Sequence, residues 1–257
     1  MTHSIIPTIV IPCFNEEERL ADGGYLIELS RYLNANFIYV DDGSSDQTFK
    51  ILKSVASQTG GQVLRLPINS GKSEAVRIGL LRAIDSLHPS GIVAYLDVDG
   101  AFPASVVKEH VLKSTQIFSA DNPKRMLYIA SRVGLSGRKI ARSRFRHYVS
   151  RILLSVLGLT GVKLPYDTQS GFKLIKLDGD RLRQALSTSF RTRWLFDIEL
   201  MCRLQLDWDS EIWEEPVSEW QDVAGSKISL NSSLPIVREF VIIFFLLRRY
   251  VRIGNIK

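Results

Sequence analysis

Cysteine is scarce in this chain. Cys13 and Cys202 lie far apart and have no metal-ligand spacing, which excludes a disulfide framework and suits a reducing compartment. No internal repeat, low-complexity tract or Pro/Gly/Ser-rich linker divides the 257 residues. The chain therefore reads as one large α/β domain, 1–230, followed by a C-terminal segment, 231–257. Met1 to Ile11 lacks a basic start followed by a long apolar core, so no signal peptide is expected. Long hydrophobic runs are also missing. The longest, Phe240 to Leu247 (FVIIFFLL), falls far short of the roughly 20 residues a membrane-spanning helix needs. Acidic residues are absent from Asn122 to Tyr166, where ten Lys and Arg accumulate in a chain of net charge +6. One-sign charge on that scale is either a solvated face or the mark of an anionic partner: nucleic acid, anionic lipid or a phosphate substrate.

What is present is rhythm. Apolar runs at Thr8–Ile11, Phe37–Val40, Gln62–Leu66 and Ile92–Leu96 predict four strands. Helical patterns are predicted between them over Asn15–Arg31, with Asn15 as N-cap, Asp46–Gln58 and Lys72–Leu87. This alternation predicts a mostly parallel, Rossmann-like sheet flanked by helices. Beyond residue 100 the sequence predicts strands at Met126–Ala130, Phe172–Ile175 and Ser210–Glu214. Helices are predicted at Ile140–Leu159, Phe196–Leu206 and Pro235–Arg252. The last is apolar between arginines (Arg238, Arg248, Arg249, Arg252), as suits either a buried core helix or an amphipathic helix lying in a membrane interface.

Ligands of such sheets bind beyond the carboxyl ends of the strands. Three polar clusters fall there: Asn15–Glu18, Asp41–Asp46 and Asp97–Asp99. Like charges gathered on one edge repel, and a cation or a donor-rich ligand relieves the repulsion. Asp97-Val98-Asp99 directly follows an apolar strand, and on a tight turn both carboxylates can reach one Mg²⁺ or Mn²⁺ ion. The structural alternative is that Asp99 caps a helix beginning near Ala104. Asp41 and Asp42 can accept a base imide or a ribose hydroxyl, or can simply serve the turn. Asn69-Ser70-Gly71-Lys72 places backbone N–H groups and a lysine at a helix start, which is an anion site without Walker spacing.

The runs IVIPCFNEEERL, VDDGSSDQT, NSGKSEAVRIGL and YLDVDGAFP, in this order, resemble the inverting family-2 glycosyltransferases of GT-A fold. ASRVGLSGRKIARSRFR, DTQSGFKL, RWLFDIEL and VAGSKISL are similar to the dolichyl-phosphate β-glucosyltransferase branch and to the neighbouring polyprenyl-phosphate mannosyltransferases. The likeness runs from about Pro7 to Leu230. It implies that Pro12, Phe14, Asn15 and Glu16 line a nucleotide-sugar pocket, that Asp41 and Asp42 read base and ribose, and that Lys72 lies near the nucleotide. It further implies that Asp97, Val98 and Asp99 meet metal and diphosphate, and that Arg132, Arg142, Arg146 and Lys227 meet acceptor or donor phosphates. Asp167 is the nearest base for a hydroxyl acceptor.

Ala101 departs from the pattern, because the mannosyltransferases carry a metal-binding glutamine there. The implied reaction moves glucose from UDP-glucose to a polyprenyl or dolichyl phosphate with Mg²⁺ or Mn²⁺. It would take place at the cytoplasmic face of the plasma membrane or endoplasmic reticulum, with the C-terminal helix associating with the membrane. Alternatives are a GDP-mannose-dependent enzyme, a family-2 transferase acting on a glycan hydroxyl, and a basic nucleotide- or nucleic-acid-binding module. No aromatic-interleaved motif accompanies the arginines, so nucleic acid is not an expected partner.

Overall fold

A computed structural model describes residues 6–21, 23–86, 91–119, 124–141, 151, 154–162, 164–177, 180–204, 206, 211–223 and 233–254. The alternation expected over the first hundred residues is present. β1 (Thr8–Cys13), β2 (Asn36–Asp41), β3 (Gln62–Arg65) and β4 (Ile92–Leu96) are separated by α1 (Glu17–Leu20), α2 (Gly24–Tyr32), α3 (Thr48–Thr59) and α4 (Lys72–Ser86). There follow α5 (Ala104–Ser119), β5 (Leu127–Ser131), β6 (Lys139–Ala141), β7 (Phe172–Lys176), α6 (Arg181–Ala185), α7 (Phe196–Arg203), β8 (Ile212–Pro216), β9 (Glu219–Gln221) and α8 (Ser233–Gly254).

Seven strands form one sheet in the order β3-β2-β1-β4-β7-β5-β8. All neighbours run parallel except β7, which is antiparallel to both β4 and β5. Successive residues of a strand face opposite sides, and each side has its own core. Ile9, Ile11, Tyr39, Tyr128 and Phe172 pack with Leu26 and Leu29 of α2, Leu52 of α3 and Val107 of α5. Val10, Val40, Val93, Tyr95 and Ile175 pack with Ala75, Val76 and Leu80 of α4 and Phe196 and Leu200 of α7. β6 and β9 pair parallel as a separate ribbon.

Several expectations are corrected. The single helix expected from Asn15 to Arg31 is two, because Ala21 (φ 42°) and Gly23 (φ 79°) leave the right-handed region. Asn15 (φ 48°) is not an N-cap; its side-chain oxygen accepts from the Ser45 N–H at 2.9 Å. The long helix expected from Ile140 does not begin there, since Ile140 and Ala141 are strand residues paired with Trp220 and Gln221. Of that span, 151 and 154–158 are helical among the described residues. α5 begins at Ala104, where the sequence reading places a helix only as the alternative role for Asp99, and its buried Val107, Val111, Ser114 and Phe118 follow helical spacing.

The terminal helix resolves the choice between core and surface by having one face of each kind. Ile243 and Leu247 are buried with Leu157, Val162, Leu195 and Ile198. Val237, Val241 and Phe245, spaced one turn apart, are 60%, 47% and 63% exposed. No helix among the described residues is long and apolar enough to cross a membrane.

Candidate active site

The loops after β1 and β2 are laced together. Asn15 N–H donates to Ser44 Oγ (3.0 Å), Glu16 N–H to Thr48 Oγ1 (2.7 Å), and Gln47 N–H to Glu17 Oε2 (3.0 Å). Pro12 is buried in β1, Phe14 is half-buried and Asn15 is exposed, so this strand end presents a graded wall beside the β2 loop. Asp41 is fully buried, accepts from the Ser44 N–H at 3.2 Å and lies 3.1 Å from Arg65 Nε. Asp42 accepts from the Ser70 and Gly71 N–H groups, each at 2.8 Å, one to each oxygen. It therefore shapes the 69–71 loop at the start of α4. Burial raises its pKa, against the pull of those two donors. Each carboxylate oxygen keeps a second lone pair, so the loop contacts leave accepting capacity.

At the end of β4, Lys72 Nζ lies 2.5 Å from Asp97 Oδ1. Burial works against the ammonium, but Asp97 and Asp197 outweigh it and hold the Lys72 pKa above its ordinary value. Asp99 accepts from the Ala101 N–H at 3.0 Å, which closes its own turn instead of capping α5. Burial and then the neighbouring Asp97 charge raise the Asp99 pKa. Val98 is buried between the two. Asp97 backs onto Gly171: the Asp97 N–H donates to the Gly171 carbonyl at 2.9 Å, and a Cβ on Gly171 would sit 2.3 Å from Asp97 Oδ2.

No cluster of three or more His, Cys, Asp or Glu able to hold a metal occurs among the described residues. Asp97 and Asp99 are two carboxylates on one turn, the ligand type that Mg²⁺ and Mn²⁺ take beside diphosphate oxygens and water.

A second layer lies beneath. Arg132 meets Asp167 through Nε–Oδ2 and Nη2–Oδ1, both 2.7 Å, while its backbone N–H reaches Oδ2 at 2.8 Å. Asp167 is 2% exposed. Burial opposes the Arg132 charge, yet Asp167 holds its pKa above the ordinary range. The two residues named from sequence as base and phosphate ligand are thus one ion pair. Glu214 fixes that pair's loop, accepting from the Tyr166 and Asp167 N–H groups at 2.8 and 2.7 Å.

Sequence reading missed the buried centre of this layer. Lys173 Nζ donates to Asp197 Oδ1 and to the Ser170 carbonyl, both at 2.6 Å, and Tyr95 OH also donates to Asp197. Burial lowers the Lys173 pKa. The available signal was a lysine in an apolar strand (GFKL) and an aspartate in an apolar helix start (LFDI), since buried charges occur in pairs. Arg142, Arg146 and Lys227 lie outside the described residues.

A mostly parallel sheet with paired carboxylates, a lysine and a helix start gathered at its carboxyl edge is the arrangement of a GT-A glycosyltransferase. Residues 8–124 match the family described as Glycosyl transferase family 2. The chain is 32% identical over 243 residues to the dolichyl-phosphate beta-glucosyltransferase of Drosophila melanogaster, covering 86% of this chain and 69% of the fly protein. It is 30% identical over 264 residues to the enzyme of the same name from Saccharomyces cerevisiae, covering 93% of this chain and 74% of the yeast protein. In fold it is similar to glucosyl-3-phosphoglycerate synthase from Mycobacterium tuberculosis, solved with Mn²⁺, UDP-glucose and phosphoglyceric acid. That match has a TM-score of 0.60 at 17% identity and covers 95% of this chain and 80% of the other. The chain belongs to glycosyl transferase family 2, in the branch of the dolichyl-phosphate beta-glucosyltransferases. It is a glycosyltransferase.

Proposed function

We propose that this protein transfers glucose from UDP-glucose to a polyprenyl phosphate of the dolichyl type, with a divalent cation, on a membrane surface. The observation that carries the acceptor is the Arg132–Asp167 pair. A sugar hydroxyl needs a base, and Asp167 is 2% exposed and accepts three hydrogen bonds from Arg132 alone, two of them at Oδ2. A phosphate oxygen is anionic at neutral pH and needs positioning and charge neutralisation instead. Arg132 uses Nε and Nη2 on Asp167 and the Gln169 carbonyl; its Nη1, together with Arg142, Arg146 and Lys227 assigned by resemblance, supplies donors suited to phosphate.

On the donor side, Pro12, Phe14, Asn15 and Glu16 border the nucleoside, Asp41 and Asp42 accept from base and ribose, and Lys72 faces the diphosphate. Asp97 and Asp99 offer the oxygens that Mg²⁺ or Mn²⁺ takes, and the positive charge of such an ion stabilises a leaving diphosphate. Fold relatives crystallised with Mn²⁺ and UDP support that cofactor class. The acceptor oxygen attacks the anomeric carbon opposite the departing diphosphate, inverting its configuration.

Peripheral membrane attachment at a cytoplasmic face rests on the terminal segment, 231–257. The exposed Val237, Val241 and Phe245 share α8 with the exposed Arg238, Arg248 and Arg249. An apolar stripe among arginines suits an anionic bilayer surface.

Detergent assays with dolichyl phosphate decide the reading. UDP-glucose with Mg²⁺ or Mn²⁺ is expected to yield lipid-linked glucose, and GDP-mannose is not. Mannosyl transfer, or glucosyl transfer only to glycan hydroxyls, overturns it.

A further inference from the structure

Among the described residues, the inner face of α8 carries one charge. Glu239 lies one turn before Ile243 and two before Leu247, all three buried, in a row that packing alone would fill with apolar side chains. A buried carboxylate is costly unless hydrogen-bonded. Glu239 accepts from three consecutive backbone N–H groups, those of Arg193 (2.8 Å), Trp194 (2.8 Å) and Leu195 (3.1 Å). It thereby fixes the turn that launches α7.

The side chain issuing from that turn crosses to the other half of the molecule. Arg193 Nη2 donates to Asn69 Oδ1 at 3.0 Å. Its guanidinium lies against Gly71 so closely that a Cβ there would be 2.5 Å from Nε, and Gly71 is in any case left-handed at φ +94°. The 69–71 loop is the one whose N–H groups Asp42 accepts. Its next residue, Lys72, pairs with Asp97. Arg193 also draws the Asp42 pKa downward through its charge. A continuous line of contacts thus joins the terminal helix to the donor pocket.

We propose that Arg193, held by Glu239, is a positioning residue of the donor pocket, so that the terminal helix is part of the nucleotide-sugar site as well as a docking foot. This rests on the reading of the 69–72 loop as a donor contact. Arg193 clamps the loop from outside while Asp42 holds it from inside. The loop backbone held at Ser70 and Gly71 by Asp42 and the Lys72 ammonium then meet the nucleotide in one fixed geometry, with its ordering already complete.

Calorimetry with UDP and Mn²⁺ on the full chain provides the test. Arg193→Ala and Glu239→Gln are each expected to weaken UDP binding about tenfold, the effect of losing one charged hydrogen-bonding partner. The double variant should be no weaker than either single one, because the two act through one contact line. Arg193→Lys should recover part of the loss. Turnover at saturating donor should change much less than KM. Ile243→Ala, one turn along the same face, is the control: it lowers thermal stability but leaves UDP affinity unchanged. UDP affinity at the wild-type value in Arg193→Ala overturns the inference alone, and so does an Ile243→Ala loss as large as that of Glu239→Gln. Wild-type protein that binds no UDP removes the donor reading and this inference together.

Discussion

At the residue scale the site is a set of charges that hold one another. Asp97 and Asp99 sit close enough for the first to raise the pKa of the second after burial has already done so. Lys72 neutralises only Asp97 directly. Removing the Asp99 charge therefore takes away half of the proposed cation site but no buried ion pair. Asp99→Asn should abolish sugar transfer while thermal unfolding stays within about 1 kcal/mol of wild type. Transfer at the normal rate in the presence of EDTA would rule out this role. Lys173 and Asp197 are a different case. They are buried, bonded to each other and to Tyr95 and Ser170, and far from solvent. Loss of either leaves an uncompensated charge, so variants there report on folding before they report on chemistry.

At the element scale, loops act in pairs. The β1 and β2 loops are laced by Asn15, Glu16, Ser44 and Thr48, and the α4 start is held by Asp42. The proposed donor pocket is therefore built from backbone positions as much as from side chains. The terminal helix is the other case. Its buried row docks it on α7, and its exposed row, Val237, Val241 and Phe245, faces away from that core. Val241→Asp with Phe245→Asp should then leave the melting temperature near wild type and abolish co-sedimentation with vesicles containing phosphatidylserine. Raised salt should weaken the wild-type attachment as well, since each basic residue near an anionic surface is worth about 1 kcal/mol. Undiminished sedimentation of the double variant would place the lipid contact on another surface.

For the whole molecule, one titration away from the site contributes to acid sensitivity. His110 of α5 is fully buried against Tyr128 of β5, with Nδ1 2.8 Å from the phenol oxygen. Burial pushes its pKa down from 6.5 to about 4. Because the folded state resists protonation more than the unfolded one, the stability it retains above pH 6.5 is lost as pH falls toward 4. Between pH 7 and 5 the loss is about 2 kcal/mol. Urea midpoints at these two pH values should show it, and His110→Gln should flatten the difference. An unchanged slope in that variant would assign the acid sensitivity to other groups.

Alternation of apolar runs and turn residues was enough, by itself, to determine the first four strands, the helices α3 and α4 between them and the carboxyl edge where ligands gather. The same reading marked Asp97, Asp99, Asp42 and Lys72, because polar clusters at strand ends are a local pattern. Local patterns do not carry strand direction, and the antiparallel β7 between β4 and β5 is invisible in the residues Phe172–Lys176. Nor do they carry partnership. Arg132 and Asp167 are 35 residues apart, Arg193 and Asn69 are 124 apart, and Glu239 lies 46 residues from the turn it holds at Arg193. The sequence determined which residues could do chemistry. Only the tertiary structure decided that Asp167 is committed to Arg132, that Lys173 answers Asp197, and that one face of the terminal helix belongs to the interior. A charge's role depends on what lies within a few ångströms of it, and chain separation says nothing about that.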